Sequence, residues 1–164
     1  MQSKSGQVYL LAVLSLAVVL VLAGAALAQP SIPTNIGTWK LKGPMPNLGA
    51  DSPTSVTLKY EALGTGVKST FDVVGANGAL AHLEFSGDYD GKDNPITGSG
   101  QPGGVVALTR FDANTVRLIH KRDGEVIVTQ TEVVSSDGKT MTVTTTGTTP
   151  WGVPLNGVAV WEKQ

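Results

Sequence analysis

Residues 109–146 read TRFDANTVRLIHKRDGEVIVTQTEVVSSDGKTMTVTTT, and this stretch decides the fold. Three turn signals, at Asp112–Asn114, Asp123–Gly124 and Asp137–Gly138, separate runs of alternating β-branched residues. Asn, Asp and Gly accept the positive φ that a twisted hairpin needs, so each signal joins two neighbouring antiparallel strands. An unbroken series of such hairpins is a meander. A meander has to close on itself or be covered, because its edges otherwise offer unpaired backbone groups.

Working outward, the same period-two pattern recurs on both sides. Thr115 to Lys121 places Val116 and Leu118 on one face. Glu125 to Val134 places Val126, Val128 and Val134 on one face and Ile127 and Val133 on the other. Thr140 to Thr146 sets Met141 and Val143 against four threonines. Upstream, Ile36 to Lys42, Thr54 to Ala62, Val67 to Val74, Ala79 to Ser86 and Val105 to Phe111 read as strands. Val158 to Glu162 reads as the last strand, after a Pro/Gly loop over Thr148 to Gly157. Asp88 to Gly104 is poor in apolar residues and rich in Gly, and reads as loop with one short strand around Ile96. The sequence thus predicts an all-β, up-and-down antiparallel meander closing into a barrel of eight to ten strands, with a two-sheet sandwich as the alternative.

The N-terminal segment has a different character. Lys4 and the terminal amine precede an almost wholly apolar run, Val8 to Leu22, and Ala26-Leu27-Ala28 supplies a small-x-small site. That pattern reads as an export signal over 1–28, cleaved before Gln29. An uncleaved membrane anchor is the other reading, since Val8 to Ala28 carries no charge and is long enough to span a bilayer. Without Cys a lipid-modified N-terminus is excluded. Residues 29–35 hold two prolines and read as an extended tether, leaving 36–164 as one β-barrel domain.

Composition narrows the function classes. Without Lys4, 11 basic and 13 acidic side chains remain, so no basic stripe suggests nucleic acid. An exported chain with no disulfide must rely on burial and strand pairing, and fits a bacterial envelope. The expected location is periplasmic or extracellular, the expected state a monomer, and no cofactor is expected.

The strand opening Gly37-Thr38-Trp39-Lys40-Leu41 resembles the Gly-x-Trp signature of the calycin group, the lipocalins and fatty-acid-binding proteins. Val158-Ala159-Val160-Trp161-Glu162-Lys163 resembles the last strand of fatty-acid-binding proteins, and the strand-Asp-Gly-strand rhythm from Val105 to Thr146 is similar to their central hairpins. The opening, with the Asp137 to Val143 segment, also resembles a largely uncharacterised group of exported bacterial proteins. The resemblance implies a barrel with Trp39 packed across one end and a cavity for a lipophilic molecule. Two features depart from it. Pro44 to Pro53 is too short and proline-rich for the helical lid of fatty-acid-binding proteins. The Arg-x-Tyr pair that holds their fatty-acid carboxylate is also missing from the final strand, so that site is not carried over.

Candidate ligand-binding residues are Trp39, Tyr60, Phe71, Phe85, Arg110 and Leu118. Trp39 reads first as a structural plug. Arg110 lies between Leu108 and Phe111 in a strand apolar on both faces, and facing inward it could hold an anionic group. Facing outward it would pair across strands with Glu125 or Glu132. His82 and His120, the only imidazoles, lack the local spacing of a zinc site. Asp88, Asp90 and Asp93 cluster around a turn whose order departs from a calcium loop. Gly98 to Gly104 leads into a strand and not a helix, so it is not a phosphate cradle. With no Gly-x-Ser-x-Gly elbow and no Cys, no catalytic machinery is visible, and the protein reads as a non-enzyme. The expected function is an exported, lipocalin-like binding protein for a small lipophilic molecule. The alternative is a structural or interaction protein of the bacterial cell envelope, its barrel filled by side chains.

Overall fold

Val56, Leu58 and Tyr60 are buried while Lys59 and Glu61 are exposed, the period of two that a sheet with one solvated face imposes. The same alternation builds ten strands. They are β1 (Gly37–Lys42), β2 (Ser55–Leu63), β3 (Gly66–Val74), β4 (Leu80–Gly87) and β5 (Asp90–Ser99), then β6 (Gly104–Arg110), β7 (Thr115–Arg122), β8 (Glu125–Val134), β9 (Thr140–Gly147) and β10 (Gly157–Lys163). The computed structural model describes residues 34–45, 48–49, 52–99, 103–148 and 154–164. The leader at 1–28 and residues 29–33 of the tether lie outside the described residues.

Each strand pairs antiparallel with the next, and β1 also pairs with β10, which closes the ring. Trp39 stands opposite Lys163 and Leu41 opposite Trp161 at this closure. The meander is therefore a closed ten-stranded barrel with no free edge, and the sandwich does not form.

The Asx chemistry of the turns behaves as their sequence requires. Asp123 and Gly124 both take positive φ, 51° and 82°, between β7 and β8. The Asp112 carboxylate accepts the backbone N–H groups of Asn114 at 2.8 Å and Thr115 at 2.7 Å. Asp137 accepts from the Lys139 N–H at 3.1 Å.

One expectation is corrected. Asp88 to Gly104 is not a loop with a short strand: Asp90–Ser99 forms the ten-residue β5. Its sequence is poor in apolar residues because one face is solvated and the inward positions are Asn94, Ile96 and Gly98. Asn94 takes a place that an apolar residue would otherwise fill, and donates to the carbonyls of Lys92 at 2.9 Å and Val106 at 3.3 Å. Backbone pairing with β6, interrupted by an irregularity between Asp90 and Asp93, carries the strand where side-chain burial does not.

The two ends of the barrel differ. The end where β1 begins and β10 finishes is packed with large side chains, including Trp39, Tyr60, Met141 and Trp161, all buried. At the far end the inward positions on four of the strands carry little or nothing, Ala81 on β4, Gly98 on β5, Gly104 on β6 and Gly157 on β10, while β2 and β3 place Val56 and Val73 there. Residues there that face the interior, among them Leu41, Phe71, Val73 and Ala159, are only half-buried.

Candidate functional site in the barrel interior

Six parts of the chain converge on the packed end: the segment before β1, β1, β2, the β4–β5 connection, the β6–β7 turn and β8. Trp39, fully buried, donates its indole N–H to the Asn35 carbonyl at 2.7 Å. Thr34, just before, is tied to the β6–β7 turn through Ala113 O and Asn114 Oδ1. Asn35 is thereby carried inside the barrel, where its amide donates to Glu132 Oε2 at 3.3 Å. Tyr60 donates its hydroxyl to Glu132 Oε1 at 2.6 Å, and Tyr89 donates to Asn35 Oδ1 at 3.4 Å.

Glu132 is 2% exposed and faces inward between Val116 and Val143 of the neighbouring strands. Burial pushes its carboxyl up to about 7, and the donated bonds from Tyr60 and Asn35 hold it from going further. Burial and the neighbouring Glu132 together raise the Tyr60 phenol well above its usual value. Tyr89 is pushed to about 12, chiefly by burial. This is a buried acid at the edge of ionisation at neutral pH, held by two donors.

The β7–β9 wall above this cluster is polar in a second way. His120 faces inward beside Leu118, and its Nε2 lies 3.0 Å from Gln130 Oε1. Because that oxygen can only accept, Nε2 carries the proton. Burial lowers the imidazole pKa, so the ring stays neutral. Gln130 Nε2 in turn reaches Thr145 Oγ1 at 3.5 Å. Next to this wall, on β10, Trp161 is 4% exposed, packs 6.4 Å from the Phe71 ring at a 53° tilt, and has a buried indole N–H with no acceptor.

All six candidate residues, Trp39, Tyr60, Phe71, Phe85, Arg110 and Leu118, point into the barrel, but the structure divides them. Trp39 and Tyr60 belong to the packed end. Arg110 faces inward, its guanidinium 5.3 Å from the centre of the Tyr89 ring, so the outward orientation is not taken. Leu118 is buried in the wall, while Phe71 and Phe85 are half-buried on β3 and β4. Sequence reasoning missed Glu132, Asn35, Gln130 and the indole of Trp161 as interior groups, whereas His120 shares the face of Val116 and Leu118 in the sequence pattern. Parity carried the signal for Glu132, which is an even number of residues from Val128 and Val134.

The other candidates are spread over the outside. His82 faces outward, its Nδ1 2.6 Å from Asp72 Oδ1, and the bond to that carboxylate raises its pKa. The three aspartates turn to separate partners: Asp88 to Thr65, Asp90 to Lys92 and Asp93 to Lys121. Among the described residues no group of three or more His, Cys, Asp or Glu is placed to hold a metal ion. A cleft of about 250 Å³ lies on the outer wall over Thr57, Asp72, His82 and Ser99.

A closed all-β meander barrel with one plugged end and a partly polar interior defines the class: a ten-stranded antiparallel barrel, consistent with a calycin-like architecture. Comparison with protein-family models and with curated proteins finds no match to the chain.

Proposed function

We propose that the protein is an exported, lipocalin-like carrier that holds a small lipophilic molecule in the half of its barrel away from Trp39. One observation carries this reading. A closed barrel widens with strand number, and eight strands already leave room for side chains or one small ligand. Here ten strands enclose the lumen, yet at the far end the inward positions of β4, β5, β6 and β10 are Ala81, Gly98, Gly104 and Gly157. Side chains this short do not reach the axis. The half-buried state of Phe71 and Leu41, both facing inward, agrees with unfilled space beside them. The apolar run and small-x-small site of residues 8–28 support export.

Native mass spectrometry of protein purified from its own source tests the reading. Co-purified lipid of defined mass is the expected result, and a consistently empty barrel opposes it.

A second reading, an envelope interaction protein with a filled core, draws on a different feature. The cleft over His82 is on the outer wall, and Leu80 at its edge is 76% exposed. An empty barrel that pulls down a defined partner, lost on Leu80→Asp, would favour that reading.

A further inference from the structure

Among the described residues two buried donor atoms have no acceptor, the Nε of Arg122 and the indole nitrogen of Trp161. Almost every polar group buried in a folded protein finds a partner, and a buried N–H left without one costs about 1–3 kcal/mol. Trp39 follows this rule through the Asn35 carbonyl, whereas the equally enclosed indole of Trp161 does not. Trp161 belongs to the packed end, but its ring lies against the half-buried Phe71, on the side of the ligand half. Above it on β10 are only Ala159 and Gly157, so nothing on its own strand shields it from the lumen.

The charges around the lumen decide which acceptor would suit this donor. His120 is neutral and already donates to Gln130. The inward arginines Arg110 and Arg122 both have partners. Glu132, at the packed end, adds negative charge whenever it ionises. Among the described residues both inward arginines are already engaged and Glu132 shares the interior, so a carboxylate would enter at a heavy desolvation cost. An uncharged oxygen would not.

Resting on the pocket reading above, we propose that the ligand is an uncharged lipophilic molecule bearing one acceptor oxygen, a ketone, aldehyde or ester, received by the Trp161 N–H. The barrel then discriminates by charge against fatty acids and by hydrogen bonding against hydrocarbons. The second discrimination follows because a site built to donate is left unsatisfied by a ligand that cannot accept.

Displacement of the neutral dye Nile red from the full exported chain tests this, with 2-undecanone, undecanoic acid and undecane as competitors at pH 7.5. The ketone is expected to displace the dye at about tenfold lower concentration than either of the others, the ratio one buried hydrogen bond supplies. Trp161→Phe is expected to bring ketone and alkane within about twofold of each other, leaving undecane unchanged. In the unaltered protein, the indole N–H resonance of Trp161 is expected to move on adding the ketone and not on adding the alkane. That measurement decides the matter even where the variant does not fold. Equal binding of ketone and alkane, stronger binding of undecanoic acid, or an unmoved indole resonance overturns the assignment while leaving the pocket. Failure of Nile red to find any saturable site removes the pocket, and this assignment with it.

Discussion

Tyr60 on β2 and Glu132 on β8 meet across the interior, hydroxyl to carboxylate, at 2.6 Å. In the closed ring β2 and β8 are separated by β1, β10 and β9 on the shorter way round, so this bond crosses the lumen and does not run along the wall. Asn35 supplies the second donor to the same carboxyl and takes the indole N–H of Trp39 on its own carbonyl. The segment before β1, a strand on one side and a strand on the other are thus fastened at a single buried acid. That fastening plugs one end.

Removing the hydroxyl strands the carboxyl. Tyr60→Phe leaves Glu132 with Asn35 as its remaining donor, and a lost bond to a charged or partly charged buried group costs about 1–3 kcal/mol. The expected outcome is a lower urea midpoint at unchanged m-value, since the surface exposed on unfolding stays the same. Because the Tyr60 bond holds the Glu132 pKa down, the variant should also raise it further. A carboxyl resonance of Glu132 followed by NMR against pH checks this second effect.

Glu132 should make the fold less stable as pH rises. Its folded pKa, about 7, lies above the ordinary value of 4.5, so between these two values the folded chain holds a proton that the unfolded chain has lost. The stabilisation is complete below about pH 4.5 and disappears as pH climbs through about 7, amounting to roughly 3 kcal/mol at 1.36 kcal/mol per unit. His120 works in the opposite sense, because its imidazole is pushed below 6.5 and favours the fold as pH rises towards that value. Comparing wild type with Glu132→Gln isolates the carboxyl. The variant should lack the decline between pH 5 and 7, read as the difference between two urea-unfolding series.

The barrel was largely legible in the sequence because period-two alternation and Asp-Gly turns are local signals. Strands such as Thr140 to Thr146 need nothing from the rest of the chain to be recognised. β5 was not legible, because Asn94 and Gly98 occupy inward positions that carry no hydrophobic mark, and pairing with β6 is a long-range fact. The inward aromatic candidates followed from the same parity that placed Val56 and Leu58. Glu132 obeyed that parity too, but a charged residue in a strand is ordinarily solvated. Its donors, Tyr60 and Asn35, stand 72 and 97 residues away, so no local pattern announces them. Asn35 in particular sits in a Pro-bounded stretch that reads as a tether, and only its anchoring to Ala113 and Asn114 through Thr34 turns it inward.

Trp39→Ala should be the most damaging single truncation at the packed end. It removes a fully buried side chain, leaves the Asn35 carbonyl without its donor, and strips the ring that the Lys163 ammonium overlies at 5.2 Å. Deleting a buried aromatic costs about 3–5 kcal/mol through lost transfer energy and the cavity left behind. Trp39→Phe keeps most of the volume and should lose about 1–3 kcal/mol, the part that belongs to the hydrogen bond and the residual gap. Chemical unfolding of both variants separates packing from bonding.

The β4–β5 seam should be the first part of the ring to open. Its register comprises His82 with Ser99, Leu83 with Gly98 and Glu84 with Thr97, whereas β2 and β3 pair along their full length from Ser55–Val74 to Leu63–Gly66. Local opening follows the least-supported hydrogen bonds, so hydrogen exchange should be fastest at these β4 and β5 amides. Gly98 holds the seam with a φ of 127°, and a Cβ at that position would overlap the carbonyl oxygen of His82. Gly98→Ala should therefore cost about 1–3 kcal/mol in backbone strain alone and further speed exchange along the seam. Gly43, also at positive φ but with open space around it, provides the control. Gly43→Ala should cost about 1–2 kcal/mol and leave exchange at β4 and β5 as in the wild type. Equal acceleration of the seam by both variants would mean that φ strain at large, and not the close approach of Gly98 to His82, limits how far the ring can be loosened there.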